Sequence, residues 1–131
     1  MRRRLNLLLD TSVFIWWVTA DERLGTRARA AMADPASSVF VSAVSAWEIA
    51  IKRALGKLDL EGDVGDLIER EEFEELPIRV VHALAAESLP PHHRDPFDRM
   101  LIAQSRREGM LLVSGDRVMT RYDVKLLPAH A

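Results

Sequence analysis

Apolar residues fall along this chain in short bursts separated by polar and turn-forming stretches, and the length and period of each burst assign an element. Leu5 to Leu9 is oily at every position except Asn6 and stops at Asp10, which predicts a short buried strand. Val39 to Val41 and Leu111 to Val113 predict two more, with shorter ones at Leu76 to Ile78 and at Leu126 and Leu127. Between them lie helical stretches. Val13 to Val18 is apolar nearly all round, Thr26 to Ala33 is stopped by Asp34 and Pro35, and Ser45 to Leu55 is closed by Gly56. Gly62 to Glu75 predicts an acidic helix, Val80 to Ser88 another that ends before Pro90 and Pro91, and Pro96 to Glu108 a strong one stopped by Gly109. Strands alternating with helices predict an α/β fold, three layers deep (α/β/α), around a short, mainly parallel central sheet.

Composition narrows the class. The 131 residues, without repeat, linker or low-complexity segment, read as one domain with one proper core. Cysteine is absent, which removes disulfide scaffolds, thiolate zinc sites and cysteine nucleophiles and fits a reducing cytoplasm. The basic start, Met1 to Arg4, is followed by an apolar stretch that Asn6 and Asp10 interrupt, so no secretory signal is expected. No apolar run reaches the length of a membrane span. A net charge of −2 argues against a protein that coats nucleic acid, yet it permits an enzyme that meets nucleic acid through bound cations.

Four acidic stretches then change the picture: LLLDTS around Asp10, SAVSAWEIAIK around Glu48, HRDPFDRMLIAQ around Asp95 and Asp98, and LLVSGD around Asp116. Each has a plain structural explanation. Ser45 and Glu48 have the spacing of a capping box. Asp95 before Pro96 is a favourable N-cap, with Asp98 third in its helix. Asp10 and Asp116 suit turns. Taken together they say more, because open parallel sheets gather their sites beyond the carboxyl ends of the strands, where all four fall. Carboxylates that converge repel unless they are protonated or neutralised by a cation. Oxygen ligands of this kind suit Mg²⁺ or Mn²⁺, and such a site points to phosphoryl transfer or phosphodiester hydrolysis.

On these motifs, which run in order through essentially the whole chain, the sequence resembles the PIN-domain ribonucleases of the VapC toxin type. The resemblance implies a PIN-like fold and an acidic quartet at Asp10, Glu48, Asp98 and Asp116, supported by hydroxyls at Thr11 or Ser12 and at Ser114. It further implies RNA cleavage with Mg²⁺ or Mn²⁺, a homodimer, and a small VapB-like antitoxin as partner. Two positions depart from the family pattern. Ser114 stands where threonine is frequent, and Val118 where a further acid or amide is frequent, which bears on whether a second ion is held. Asp95 is expected to cap its helix.

The remaining candidates divide between solvated charge and function. Lys52 either pairs with Glu48 four residues earlier or meets substrate phosphate, and Arg99 is either solvated charge or a phosphate contact. His92 and His93 are adjacent and read as solvated residues near the site mouth; His82 reads as helix surface. Trp16, Trp17 and Trp47 suit base stacking or an interface, the latter favoured. No glycine-rich phosphate loop is present. Two rivals to the nuclease remain. A haloacid-dehalogenase-like phosphatase wants a second aspartate two residues after the first, where Ser12 stands, and a non-catalytic binding module has no need of an acid cluster.

Overall fold

The computed structural model describes residues 4–131; Met1 to Arg3, most of the basic start, lie outside the described residues. Five strands form one sheet: β1 (Leu5–Leu9), β2 (Ser37–Ser42), β3 (Glu74–Leu76), β4 (Leu111–Ser114) and β5 (Leu126–Pro128), in the order β3-β2-β1-β4-β5. Every pairing is parallel. Six α-helices connect them: α1 (Thr11–Val18), α2 (Thr26–Ala33), α3 (Ala43–Ala54), α4 (Val64–Arg70), α5 (Val80–Glu87) and α6 (Pro96–Glu108). A 3-10 helix, Arg117–Arg121, follows β4. Among the described residues no helix is long and apolar enough to cross a membrane.

The oily run of β1 follows from its central place. Leu7 and Leu9 point into one apolar cluster, with Val39, Val41, Val113 and residues of α1, α2 and α4. Leu8 points into the opposite cluster, with Leu112 and residues of α5 and α6. A strand covered on both faces needs apolar residues at successive positions rather than at alternate ones. The two clusters are the two interfaces of an α/β/α sandwich, as expected.

Three expectations need correction. The helix expected from Ser45 begins at Ala43, because Ser42 takes the N-cap and accepts the Val44 amide at 3.0 Å. The span from Gly62 to Glu75 is not one helix: α4 ends at Arg70, and Glu74 already pairs with Phe40 as part of β3. His82 is not surface but fully buried, its Nδ1 accepting the Arg79 amide at 2.9 Å.

Candidate active site

The sheet's carboxyl edge collects the acids through ordinary chain geometry. β1 ends at Leu9, and the Asp10 amide still donates to Val113 O at 3.0 Å, which extends the pairing with β4 and fixes the Asp10 backbone. Asp10 then caps α1, its Oδ1 accepting the Val13 amide at 2.8 Å. Asp116 caps the 3-10 helix, its Oδ1 accepting the Val118 amide at 2.9 Å. Asp95 caps α6, accepting the amides of Phe97 and Asp98 at 2.8 and 3.3 Å. The capping roles are therefore real. They engage one oxygen each and leave the other available.

Glu48 lies in the second turn of α3, one turn later than a start at Ser45 implies, and it is buried. The Thr11 hydroxyl donates to its Oε1 at 2.7 Å and lies 2.9 Å from the Ser45 hydroxyl. The Lys52 ammonium donates to its Oε2 at 2.5 Å. Ser45, read from the sequence as a cap, thus serves the site. α3 and α6 are held in register by Gln104 of α6, which accepts from the Ser42 hydroxyl at 2.6 Å.

Asp10, Thr11, Ser12, Glu48, Lys52, Asp95, Asp98, Gly115 and Asp116 line one cavity of about 310 Å³. Five carboxylates face Lys52 as the one cation among the described lining residues. The electrostatic cost is visible. Burial lifts the Asp10 carboxyl to about 6, opposed by bonds from the Ser114 hydroxyl and the Val13 amide and reinforced by Asp116 and Glu48. Burial likewise lifts Asp98 to about 7, with Asp95, Asp10 and Glu48 adding to the rise and His93 opposing it. The bond that Lys52 donates to Glu48 raises its ammonium above the ordinary value. Ser114 links two of the acids, since its hydroxyl also accepts the Asp116 amide at 3.1 Å. At Gly115, just before Asp116, an added Cβ would stand 2.7 Å from the His130 imidazole, so that side chain would have to shift.

The donor set fits a hard divalent cation: oxygen-rich, crowded with negative charge, and under-neutralised by the chain's own cations. Ligand atoms of His93, Asp98 and Asp116 lie within 4.8 Å of one another.

Two expectations about charge change here. Arg99 is turned away from phosphate duty, because its guanidinium donates to the carbonyls of Ala86, Leu89, Pro90 and His93 at 2.7 to 3.2 Å. His93 is no solvated residue: its Nε2 lies 2.8 Å from Asp116 Oδ2 and 3.1 Å from Asp98 Oδ2. Its neighbour His92 is exposed, as expected. The sequence signal for His93 was its place two residues before the Asp95 cap, in a segment that already carried two acids. Val118 packs against the apolar cluster around α6 and offers no ligand.

The tryptophans also separate. Trp17 bonds to Glu71 Oε1 at 3.1 Å and packs on Phe73, and Trp16 lies against His130 and Arg23. Both stay partly exposed on α1. Trp47 is 61% exposed, with Phe97 as its aromatic neighbour.

The model of the PIN domain family matches residues 7–125. No curated protein gives a significant sequence match. Among solved structures, VapBC2 from Rickettsia felis bound to a promoter DNA fragment is similar at a TM-score of 0.70 and 10% identity, over 95% of this chain and 98% of that one. FitAB bound to a DNA fragment gives 0.63 and 18%, over 95% and 96%. VapBC-1 from nontypeable Haemophilus influenzae gives 0.62 and 13%, over 97% and 100%. At these identities the likeness is one of fold.

Proposed function

The chain belongs to the PIN domain family, and from that premise we propose that it is a Mg²⁺- or Mn²⁺-dependent endoribonuclease, the toxin of a toxin–antitoxin pair acting in the cytoplasm. The observation that carries the reading is the convergence of Asp10, Glu48, Asp98 and Asp116 on one cavity, with Asp10 and Asp98 lifted well above the ordinary carboxylate range.

Asp10, Asp98 and Asp116 would hold the ion, and Glu48, whose two oxygens are already engaged by Thr11 and Lys52, would contribute directly or through water. When bound, the ion lowers the pKa of a coordinated water and stabilises the charge that builds on the phosphate. The chain's own groups set the geometry for that chemistry. Thr11 and Ser45 orient Glu48, Ser114 ties Asp10 to Asp116, and the capping amides of Val13 and Val118 stop either aspartate from rotating away. Lys52 is half exposed, and an ammonium that gives one proton to Glu48 keeps two for a phosphate oxygen at the cavity mouth.

The partner reading rests on two supports. The similar structures are described as VapBC and FitAB, and the resemblance of this chain to the VapC type implies a small antitoxin as partner. Trp47, Leu55, Val80 and Leu84 also leave large apolar surface uncovered, as a homodimer or antitoxin contact would need. An arginine from such an antitoxin would match the acidic cavity.

Purified protein freed of any partner should cut RNA with Mn²⁺, leave DNA of the same sequence intact, and stop on addition of chelator. Cleavage that persists in chelator, or equal cleavage of the DNA, would overturn this reading.

A further inference from the structure

His93 stands inside the acidic cluster, and its two ring nitrogens face different groups. Nδ1 lies 3.2 Å from the Asp95 amide and accepts its hydrogen. A nitrogen that accepts carries no proton, so the ring bears its proton on Nε2. That Nε2–H is donated to Asp116 Oδ2, 2.8 Å away, and Asp98 Oδ2 lies beside the same nitrogen at 3.1 Å. The ring therefore donates to one acid, after β4, and touches a second, on α6.

The ring is held in place from behind. The His93 amide donates to the Tyr122 hydroxyl at 2.7 Å, and that hydroxyl donates to Pro90 O at 2.7 Å. Arg99 grips the carbonyls of Pro90 and His93 at 3.0 and 3.2 Å. The segment carrying His93 thus has a backbone fixed on both sides, and the side chain is only 14% exposed. A group held this firmly sets the position of what it touches.

We propose that His93 is a positioning residue of the metal site, an Nε2–H donor that fixes Asp116 and abuts Asp98, setting the two side by side without itself ligating the ion. With Val118 on one oxygen of Asp116 and His93 on the other, that carboxylate has both oxygens oriented, and each keeps a lone pair for a cation. Direct ligation through Nε2 would need the proton moved to Nδ1, where the Asp95 amide hydrogen already points. The inference rests on the metal-site reading above.

Mn²⁺ binding followed by electron paramagnetic resonance tests it, with wild type, His93→Ala, His93→Gln and Asp98→Asn compared. Glutamine places an N–H close to where Nε2 stands, so it serves as the rescue. The expected result is a Mn²⁺ Kd about 10- to 100-fold weaker in His93→Ala, within the usual cost of losing such a partner. Recovery to within a few-fold is expected in His93→Gln, and no nitrogen coupling to bound Mn²⁺ in wild type. Nitrogen coupling in wild type would make His93 a ligand and overturn the proposal, even if both variants failed to fold. Unchanged or tighter binding in His93→Ala would overturn it as well. Failure of the metal-site reading looks different: wild type then binds no Mn²⁺, or Asp98→Asn binds it as well as wild type, and the proposal falls with that reading.

Discussion

An aspartate that caps a helix and lines an acidic cavity is subject to two opposing demands, and Asp10 shows how they are reconciled. One oxygen accepts the Val13 amide, while the carboxyl is held up to about 6 by burial and by its acidic neighbours. Keeping it ionised at pH 8 costs the metal-free fold roughly 3 kcal/mol, taking about 1.4 kcal/mol per pKa unit. Asp10→Asn retains the capping oxygen and removes the charge. In metal-free protein it should raise the melting temperature at pH 8, by several degrees for a domain of this size. The sign with pH follows. Asp10 and Asp98 hold protons more tightly folded than unfolded, so their contribution to stability is complete below about pH 4 and is lost as pH rises through about 6 and 7. Metal-free protein should therefore melt lower at pH 8 than at pH 5 by calorimetry, with carboxylates elsewhere compared in an Asp10→Asn, Asp98→Asn background. A double variant with the same slope as wild type would refute it. Asp95 and Asp98, three residues apart, should respond oppositely: Asp95→Ala loses a helix cap and about 1 kcal/mol, while Asp98→Asn stabilises.

At the scale of elements, α6 was fully legible. Asp95-Pro96 at one end and Gly109 at the other, the latter in the left-handed region at φ 65°, bound the helix where local chemistry alone places it. α3 was legible as a helix but not in its start, because Ser42 and Ser45 both suit an N-cap and tertiary contact decides between them. Ser42 faces Gln104 and Ser45 faces Thr11, and neither partner is near in sequence. The same reason hid Arg99 and His93. Their partners lie on the segment between α5 and α6 and beyond β4, so spacing along one helix could not reveal them. Arg99→Ala should leave several carbonyls of that segment without a donor. Stability should fall by about 1.5 to 3 kcal/mol in chemical denaturation, with Arg99→Lys recovering little because it lacks the planar fork. A loss within experimental error would contradict the structural role of Arg99.

For the molecule as a whole, the strand order β3-β2-β1-β4-β5 does the essential work. It sets β1 between β2 and β4, so the acids after β1 and β4 and those in the early turns of α3 and α6 meet at one edge although they are spread over more than a hundred residues. The alternation of strands and helices made that convergence legible before any coordinate, while the pairing of side chains within it was not. Linkage gives the metal-bound counterpart of the pH argument: millimolar Mn²⁺ should raise the melting temperature of wild type and do so less in Asp10→Asn. The most direct test of the central claim is cleavage of RNA by folded Asp10→Asn beside wild type, both with Mn²⁺ and with the melting curve of each recorded. The account predicts a variant at least as stable without metal and slower by a factor of a hundred or more, on the order of the loss expected when charge stabilisation at a transition state is removed. A well-folded Asp10→Asn that cuts RNA as fast as wild type would contradict it.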